Sequence, residues 1–378
     1  MWQQILLIAA GFVCLALGGE VLVRGAVGLA KRLGMSELII GLTVVSFATS
    51  APEIAVSVNA AYSGYADVAF GNVVGSNIFN VLFVLGLSAL AAPLIVSPQL
   101  LQRDVPIMIG VSILTYFIAR DGVITHPEGG FLLLLMAIYL ALSITLARRE
   151  GSQSAGDAER GGSAQPRDDV AAAASPADSV PARRGGVAAL FGHAILVILG
   201  VGILMLGAKL FVDGSVALAR AWGVSELVIA VTLVAAATSL PEAATSVMAG
   251  LRGRRDIAIG NVVGSNIFNI LIVLGLGTLA AKDGMKVAAE AIRTDLPVMI
   301  GVAVACLPIF FSQRMVTRTQ GALLFAYYLI YTANLTLAVT HSPWFDPFRN
   351  TVFYGVFPLT AIFLAIGVLR SRGNPAAH

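Results

Sequence analysis

Glu53 and Glu242 each directly follow a proline, and each lies inside a long apolar run. A charged carboxylate in hydrocarbon costs at least about 2.5–3.5 kcal/mol, so each must face a cavity, a cation or a proton. Pro52 and Pro241 remove a backbone donor and are expected to break the helices that carry them. Such breaks free carbonyls that can coordinate a hard cation. The two sites are copies. TSAPE at 49–53 aligns with TSLPE at 238–242, 189 positions later. At the same offset, ten residues recur unchanged, GNVVGSNIFN at 71–80 and again at 260–269.

Within that run Asn72, Ser76 and Asn80 recur at i, i+4 and i+8 and form one polar stripe; Asn261, Ser265 and Asn269 repeat it. Gly-x-x-x-Gly spacing also favours close helix packing, but packing does not require the serines and asparagines. Two polar stripes facing two broken helices predict a cage of hydroxyl, amide and carbonyl oxygens around two carboxylates. The Ser50–Glu53 and Ser239–Glu242 spacings fit a capping box too, with proline in the first turn. Capping accounts for the spacing; it does not account for a helix restarting in mid-bilayer.

An all-oxygen ligand set selects hard cations. Calcium takes 6–8 oxygens in flexible geometry, whereas magnesium tends to keep its water. The two negative charges match one calcium, and the neutral oxygens could instead hold several sodium ions. Soft metals find nothing suited to them. The four histidines have no ligand spacing with Cys or Glu, and Cys14 and Cys306 lie in apolar runs as small buried hydrophobes. No phosphate-binding loop and no nucleophile elbow occurs, so ATP-driven pumping and hydrolase chemistry lack support and an enzyme is not expected. No cofactor is expected beyond the transported ions, and the expected partners are those ions and a lipid bilayer, not nucleic acid.

The elements that must position these residues are membrane helices. Hydrophobic residues make up 57% of the chain and charged ones 12%, which is not a soluble globular composition. Apolar runs at 4–23, 36–62, 67–92, 104–119, 129–147, 187–219, 225–250, 257–281, 295–312, 319–340 and 351–369 predict eleven spans. The expected fold is an all-α polytopic membrane protein. Residues 1–147 form a first five-helix repeat, its doubled motifs within about 36–92. Residues 187–340 form the second, with the corresponding stretch at about 225–281. Five helices is an odd number, so the second copy is inverted relative to the first.

Residues 148–186 contain almost no large apolar side chain and are expected to be a disordered cytoplasmic linker; 341–378 add an extra C-terminal helix and tail. About sixteen basic residues fall on one side and about six on the other, which sets the N-terminus outside and the C-terminus in the cytoplasm. Arg24 and Lys209 lie inside apolar runs, the repeat aligns Glu20 with Lys209 and Arg24 with Asp213, and charges there need partners or an interface.

Thr-Ser-x-Pro-Glu followed by Gly-Asn-x-x-Gly-Ser-Asn-x-Phe-Asn, present twice, resembles the α-repeats of the calcium:cation antiporter superfamily, most closely its sodium/calcium exchanger branch of prokaryotic type. The resemblance covers both halves and stops at the linker and the last helix. It implies ten core helices and exchange of sodium for calcium by alternating access. It implies calcium ligands at Glu53, Glu242, Thr49 and Thr238. Sodium ligands carry over to Ser50, Ser76, Ser239 and Ser265 and the backbone oxygens of Ser46 and Ala235, with both carboxylates shared.

Many family members carry Asp at the position of Asn269, an acid associated with potassium co-transport in one branch. Asn80 and Asn269 leave this cage with two acids, which argues against potassium. Proton/calcium exchange through the same carboxylates is the alternative, and Ser76 and Ser265 count against it. A passive cation channel suits paired helix breaks less well. The expected location is a bacterial inner membrane.

Overall fold

The structure is a computed structural model that describes residues 2–160, 187–223, 235–311, 314–356 and 358–360. The chain folds into helices α1 (Trp2–Leu33), α2 (Glu37–Thr49), α3 (Ala51–Tyr62), α4 (Ala66–Ala91), α5 (Leu100–Ala119) and α6 (His126–Arg160). After these come α7 (Val187–Ala221), α8 (Leu240–Leu251), α9 (Arg255–Ala280), α10 (Ala291–Phe311), α11 (Arg318–Val339) and α12 (Phe345–Thr351). Among the described residues eight helices are long and apolar enough to cross a membrane, and α2 with α3 forms a ninth, bent by 45°. The expected span at 225–250 is described only from Ala235 onward. The expected eleventh, at 351–369, lies largely outside the described residues.

Burial runs opposite to that of a soluble protein. The polar motif helices α4 and α9 are the most enclosed spans, while Phe12, Leu17, Phe117, Leu134 and Ile198 stay more than half exposed. That apolar surface is the one a bilayer would cover. Trp2, Tyr62, Tyr65, Trp222 and Trp344 are exposed near helix ends, where amphipathic rings sit at the headgroup level.

α1 and α7 cross antiparallel along a glycine seam. A Cβ on Gly11 would stand 2.8 Å from the carbonyl of Gly207, and one on Gly18 would stand 3.1 Å from that of Gly200. Gly25 meets the carbonyl of His193 at 3.0 Å, so the contacts descend one helix as they climb the other. Small residues let the two backbones approach in this way. α2 meets α9 similarly, because a Cβ on Gly264 would lie 2.7 Å from the carbonyl of Leu42.

Two expectations need correction. The linker was expected to be disordered from residue 148, yet α6 continues to Arg160, and 161–186 lie outside the described residues. Extending an existing helix needs no new nucleus, and Ala, Arg, Glu and Gln between 147 and 160 propagate it well. The fold is also not purely helical. Leu94–Ile95 (β1) pairs antiparallel with Met315–Val316 (β4), and Val123–Ile124 (β2) with Met285–Lys286 (β3). Strands of two residues carry no periodic signal, but each pair ties a loop of the first half to one of the second.

Arg24 and the acids Glu20 and Glu37 of the first half find partners. Glu20 bonds Arg24 at 2.6 Å and reaches Arg252, beyond the end of α8, at 2.6 Å. Arg254 bonds Glu37 at 2.8 Å. Both bridges fasten the first half to the α8–α9 turn. Gly207→Val is expected to destabilise the seam by about 1–3 kcal/mol through overpacking. Gly202→Val, where a Cβ meets nothing within 4 Å, is expected to leave stability unchanged. Thermal unfolding of the detergent-solubilised variants measures the difference.

Candidate cation site

Each motif glutamate is placed by a helix that stops and restarts. α2 contains a π-helical turn at Gly41–Val45, ends at Thr49, and gives way to α3 with Pro52 in its first turn. In the second half Thr238 and Ser239 form the turn before α8, with Pro241 in the first turn. The missing proline N–H costs nothing at that position, since first-turn donors have no intrahelical acceptor. Ser50 and Ser239 occupy the N-cap positions but make no side-chain capping bond.

Their hydroxyls cross to the other half instead. Ser239 Oγ donates to Glu53 Oε1 at 2.9 Å, and Ser50 Oγ donates to Glu242 Oε1 at 3.1 Å. Glu53, Glu242, Ser50 and Ser239 are all fully buried. Each carboxylate is therefore solvated by a serine from the opposite copy, and the two broken helices meet at their breaks. Ser239 Oγ also shares a hydrogen bond with Ser76 Oγ at 3.0 Å, which brings α4 into the network.

A second pair of crossed bonds surrounds the first. Thr238 Oγ1 donates to Asn72 Oδ1 at 3.2 Å, and Thr49 Oγ1 donates to Asn261 Oδ1 at 3.2 Å. Asn72 Nδ2 donates to Ser57 Oγ at 2.9 Å and to the Glu53 carbonyl at 3.5 Å. Asn261 Nδ2 donates to Ser246 Oγ at 2.9 Å and to the Glu242 carbonyl at 3.5 Å. Ser57 and Ser246 were not anticipated. Each stands four residues beyond its glutamate, and they fall in one column of the same 189-residue alignment, so the signal was present.

Several buried oxygens point to a ligand. Among the described residues Glu53 Oε2, Glu242 Oε2, Ser265 Oγ and both amide atoms of Asn80 and Asn269 have no hydrogen-bond partner. An unsatisfied buried polar atom costs about 1–3 kcal/mol, more when charged, unless an ion or water takes the position. Asn80 and Asn269 each open a π-helical turn, Asn80–Leu85 and Asn269–Leu274. Such turns are frequent at functional sites.

Ser46, buried in α2, uses its hydroxyl on the Gly41 carbonyl at 2.7 Å and the Asn261 carbonyl at 3.1 Å. Its own carbonyl accepts from the Ser50 N–H at 3.0 Å. Ala235 begins the first helical turn described after residue 223. Hydrogen bonds thus join the carboxylates, Ser50, Ser239, Ser76, both threonines, Asn72, Asn261 and Ser46 across the two halves. Ser265, Asn80 and Asn269 are buried on the same motif helices without a direct bond to the network.

The flanks of the two motif helices α3 and α8 differ. A cavity of about 520 Å³ lies beside α3, lined by Ile54, Ala55, Val58, Asn59, Tyr62 and Leu276. The corresponding face of α8 is covered by α1, where a Cβ on Gly19 would lie 3.0 Å from the Ala244 carbonyl.

An apolar multi-helix bundle that buries a carboxylate from each of two repeated motifs defines a multi-pass membrane protein with a candidate cation site. The family model described as "Sodium/calcium exchanger protein" matches residues 3–145 and 192–337, and the chain belongs to that family. It is similar to the putative antiporter CaxA of Alkalimonas amylolytica, at 36% identity over 86% of this chain and 96% of the relative. It is 32% identical to the sodium/calcium exchanger MaX1 of Methanosarcina acetivorans, again over 86% of this chain and 96% of the relative. Among solved structures, the sodium-calcium exchanger NCX_Mj soaked with 10 mM Na+ and zero Ca2+ superposes with a TM-score of 0.70. That match has 29% identity and covers 88% of this chain and 98% of NCX_Mj.

The crossed serine bonds are unequal, since Ser239 serves both Glu53 and Ser76 while Ser50 serves Glu242. Ser239→Ala is expected to cost about 1 kcal/mol more stability than Ser50→Ala. Paired thermal unfolding of the two variants measures this.

Proposed function

We propose that the protein exchanges sodium for calcium across the membrane by alternating access, without potassium and with net movement of charge. The observation that carries this reading is the reciprocal pair Ser239–Glu53 and Ser50–Glu242, which joins two carboxylates from opposite copies at two helix breaks. Calcium would take the carboxylates with the hydroxyls of Thr49 and Thr238. Sodium would take the carboxylates with Ser50, Ser76, Ser239, Ser265 and the carbonyls of Ser46 and Ala235. Competition for the same two acids couples the ions, because a ligand shifts a conformational equilibrium only through differential affinity for its states.

The antiparallel crossing of α1 and α7 supports two inverted five-helix repeats, 1–147 and 187–340. The strand pairs agree. β1 and β4 place the loops after α4 and α10 on one side, and β2 with β3 places the loops after α5 and α9 on one side. Alternating spans require both. In this reading ten helices form the core, an eleventh follows, and the basic α8–α9 turn faces the cytoplasm of a bacterium whose inner membrane holds the protein. Asn80 and Asn269, neutral in both copies, support potassium independence.

Purified protein in proteoliposomes tests the reading. An outward sodium gradient is expected to drive calcium-45 uptake, and Glu53→Gln or Glu242→Gln to reduce it at least a hundredfold. Retained exchange in both variants removes the site assignment. Replacing potassium with choline is expected to leave the rate unchanged. Uptake driven by a pH gradient in the absence of sodium would establish proton coupling instead.

A further inference from the structure

Asn72 and Asn261 belong to the predicted cage of oxygens, yet their amides are already committed. Both hydrogens of Asn72 Nδ2 are used, on Ser57 Oγ and the Glu53 carbonyl, and its Oδ1 accepts from Thr238. Asn261 repeats the pattern with Ser246, Glu242 and Thr49 at the same three distances. We infer that Asn72 and Asn261 are positioning residues, each aiming the threonine hydroxyl of the opposite half at the bound ion, and are not themselves ion ligands. The inference rests on the site reading above.

A hydroxyl has one hydrogen and two lone pairs. It can serve a cation only when its hydrogen points elsewhere. By accepting that hydrogen, Asn72 Oδ1 leaves the lone pairs of Thr238 free for the centre. The same amide holds the carbonyl of Glu53, so one side chain sets the relative placement of a carboxylate from the first half and a hydroxyl from the second. Asn261 does the reverse for Glu242 and Thr49. The paired geometry means that neither half can present its ligands without the other.

The copies differ in one respect. Thr49 Oγ1 has a second acceptor within reach, the Ser46 carbonyl at 3.4 Å. No second bond of this kind is made by Thr238 among the described residues. Loss of Asn261 therefore leaves Thr49 a backbone acceptor that keeps its hydrogen off the ion, whereas loss of Asn72 leaves Thr238 to turn its hydrogen to the Glu53 carboxylate, into the site.

The test is a double-mutant cycle on sodium-driven calcium uptake by the full chain in proteoliposomes, read as the calcium concentration at half-maximal rate. Asn72→Ala and Thr238→Val are each expected to raise that concentration about tenfold, and the double variant about tenfold as well. Asn72→Ala combined with Thr49→Val, from the other pair, is expected to multiply to about a hundredfold. Thr238→Ser should restore near-normal affinity, and Asn261→Ala should have a smaller effect than Asn72→Ala. Multiplicative effects of Asn72→Ala and Thr238→Val, or an unchanged half-maximal concentration, would overturn the inference.

If Asn72→Ala fails to assemble, isosteric Thr238→Val against Thr238→Ser decides. Equal calcium affinity in those two overturns the inference. Persistent exchange in Glu53→Gln would mark failure of the site reading itself, separately from this cycle.

Discussion

Glu53 and Glu242 are buried without exposure, and each has one oxygen held by a serine of the opposite half and one oxygen with no partner among the described residues. Two such groups repel each other, and hydrocarbon around them penalises charge. Serine hydroxyls offset part of that cost. The remainder calls for a cation or a proton, so the pair is stable only with cargo or with solvent access. A site of this kind cannot be an incidental feature of packing, because apolar residues of the same volume would be more stable there.

Holding the carboxylates together imposes conditions on the backbone. The helices must stop near the site to expose polar backbone groups, and Pro52 and Pro241 allow a restart where a proline is harmless. The breaks must not let the bundle come apart. Two-residue strand pairs join loops of the two halves, and the Glu20–Arg252 and Glu37–Arg254 bridges fasten one end of α8 and α9. The glycine seam brings the backbones of α1 and α7 close together, with Leu204 packed over Gly18 and Leu22 over Gly200.

The two carboxylates and the Asn–Ser–Asn stripes could be read from the sequence because duplication acts as a filter, whereas the threonines entered only through the family resemblance. A polar residue repeated at a fixed offset within apolar runs has little other reason to recur. Ser57 and Ser246 fall in the same repeat column, but their role depends on Asn72 and Asn261 lying opposite, which only the fold shows. The direction of the asparagine bonds was not legible at all, as it is settled by contact between halves 166 and 212 residues apart. Capping chemistry is only a local alternative, and neither Ser50 nor Ser239 makes a capping bond. Ser-x-Pro-Glu is locally a capping box, and only the crossing of the two breaks turns the hydroxyl outward to the opposite acid. The extension of α6 to Arg160 reflects helix propagation from a stable span, which composition alone underrates.

Identical sequence does not give identical contacts here. Ser76 hydrogen-bonds Ser239, whereas Ser265, at the same place in the same ten residues, has no partner among the described residues. Asn72 is half-buried and Asn261 is fully buried. A cavity opens beside α3, while α1 closes over the matching face of α8. The local sequence cannot be the source of the difference between Ser76 and Ser265, so it must come from how the halves are arranged. An inverted pair whose copies exchanged environments would present the mirror of this asymmetry, with Ser265 bonded and Ser76 released. The unequal bonding of equal residues is then what an asymmetric arrangement of the two halves leaves on a duplicated site.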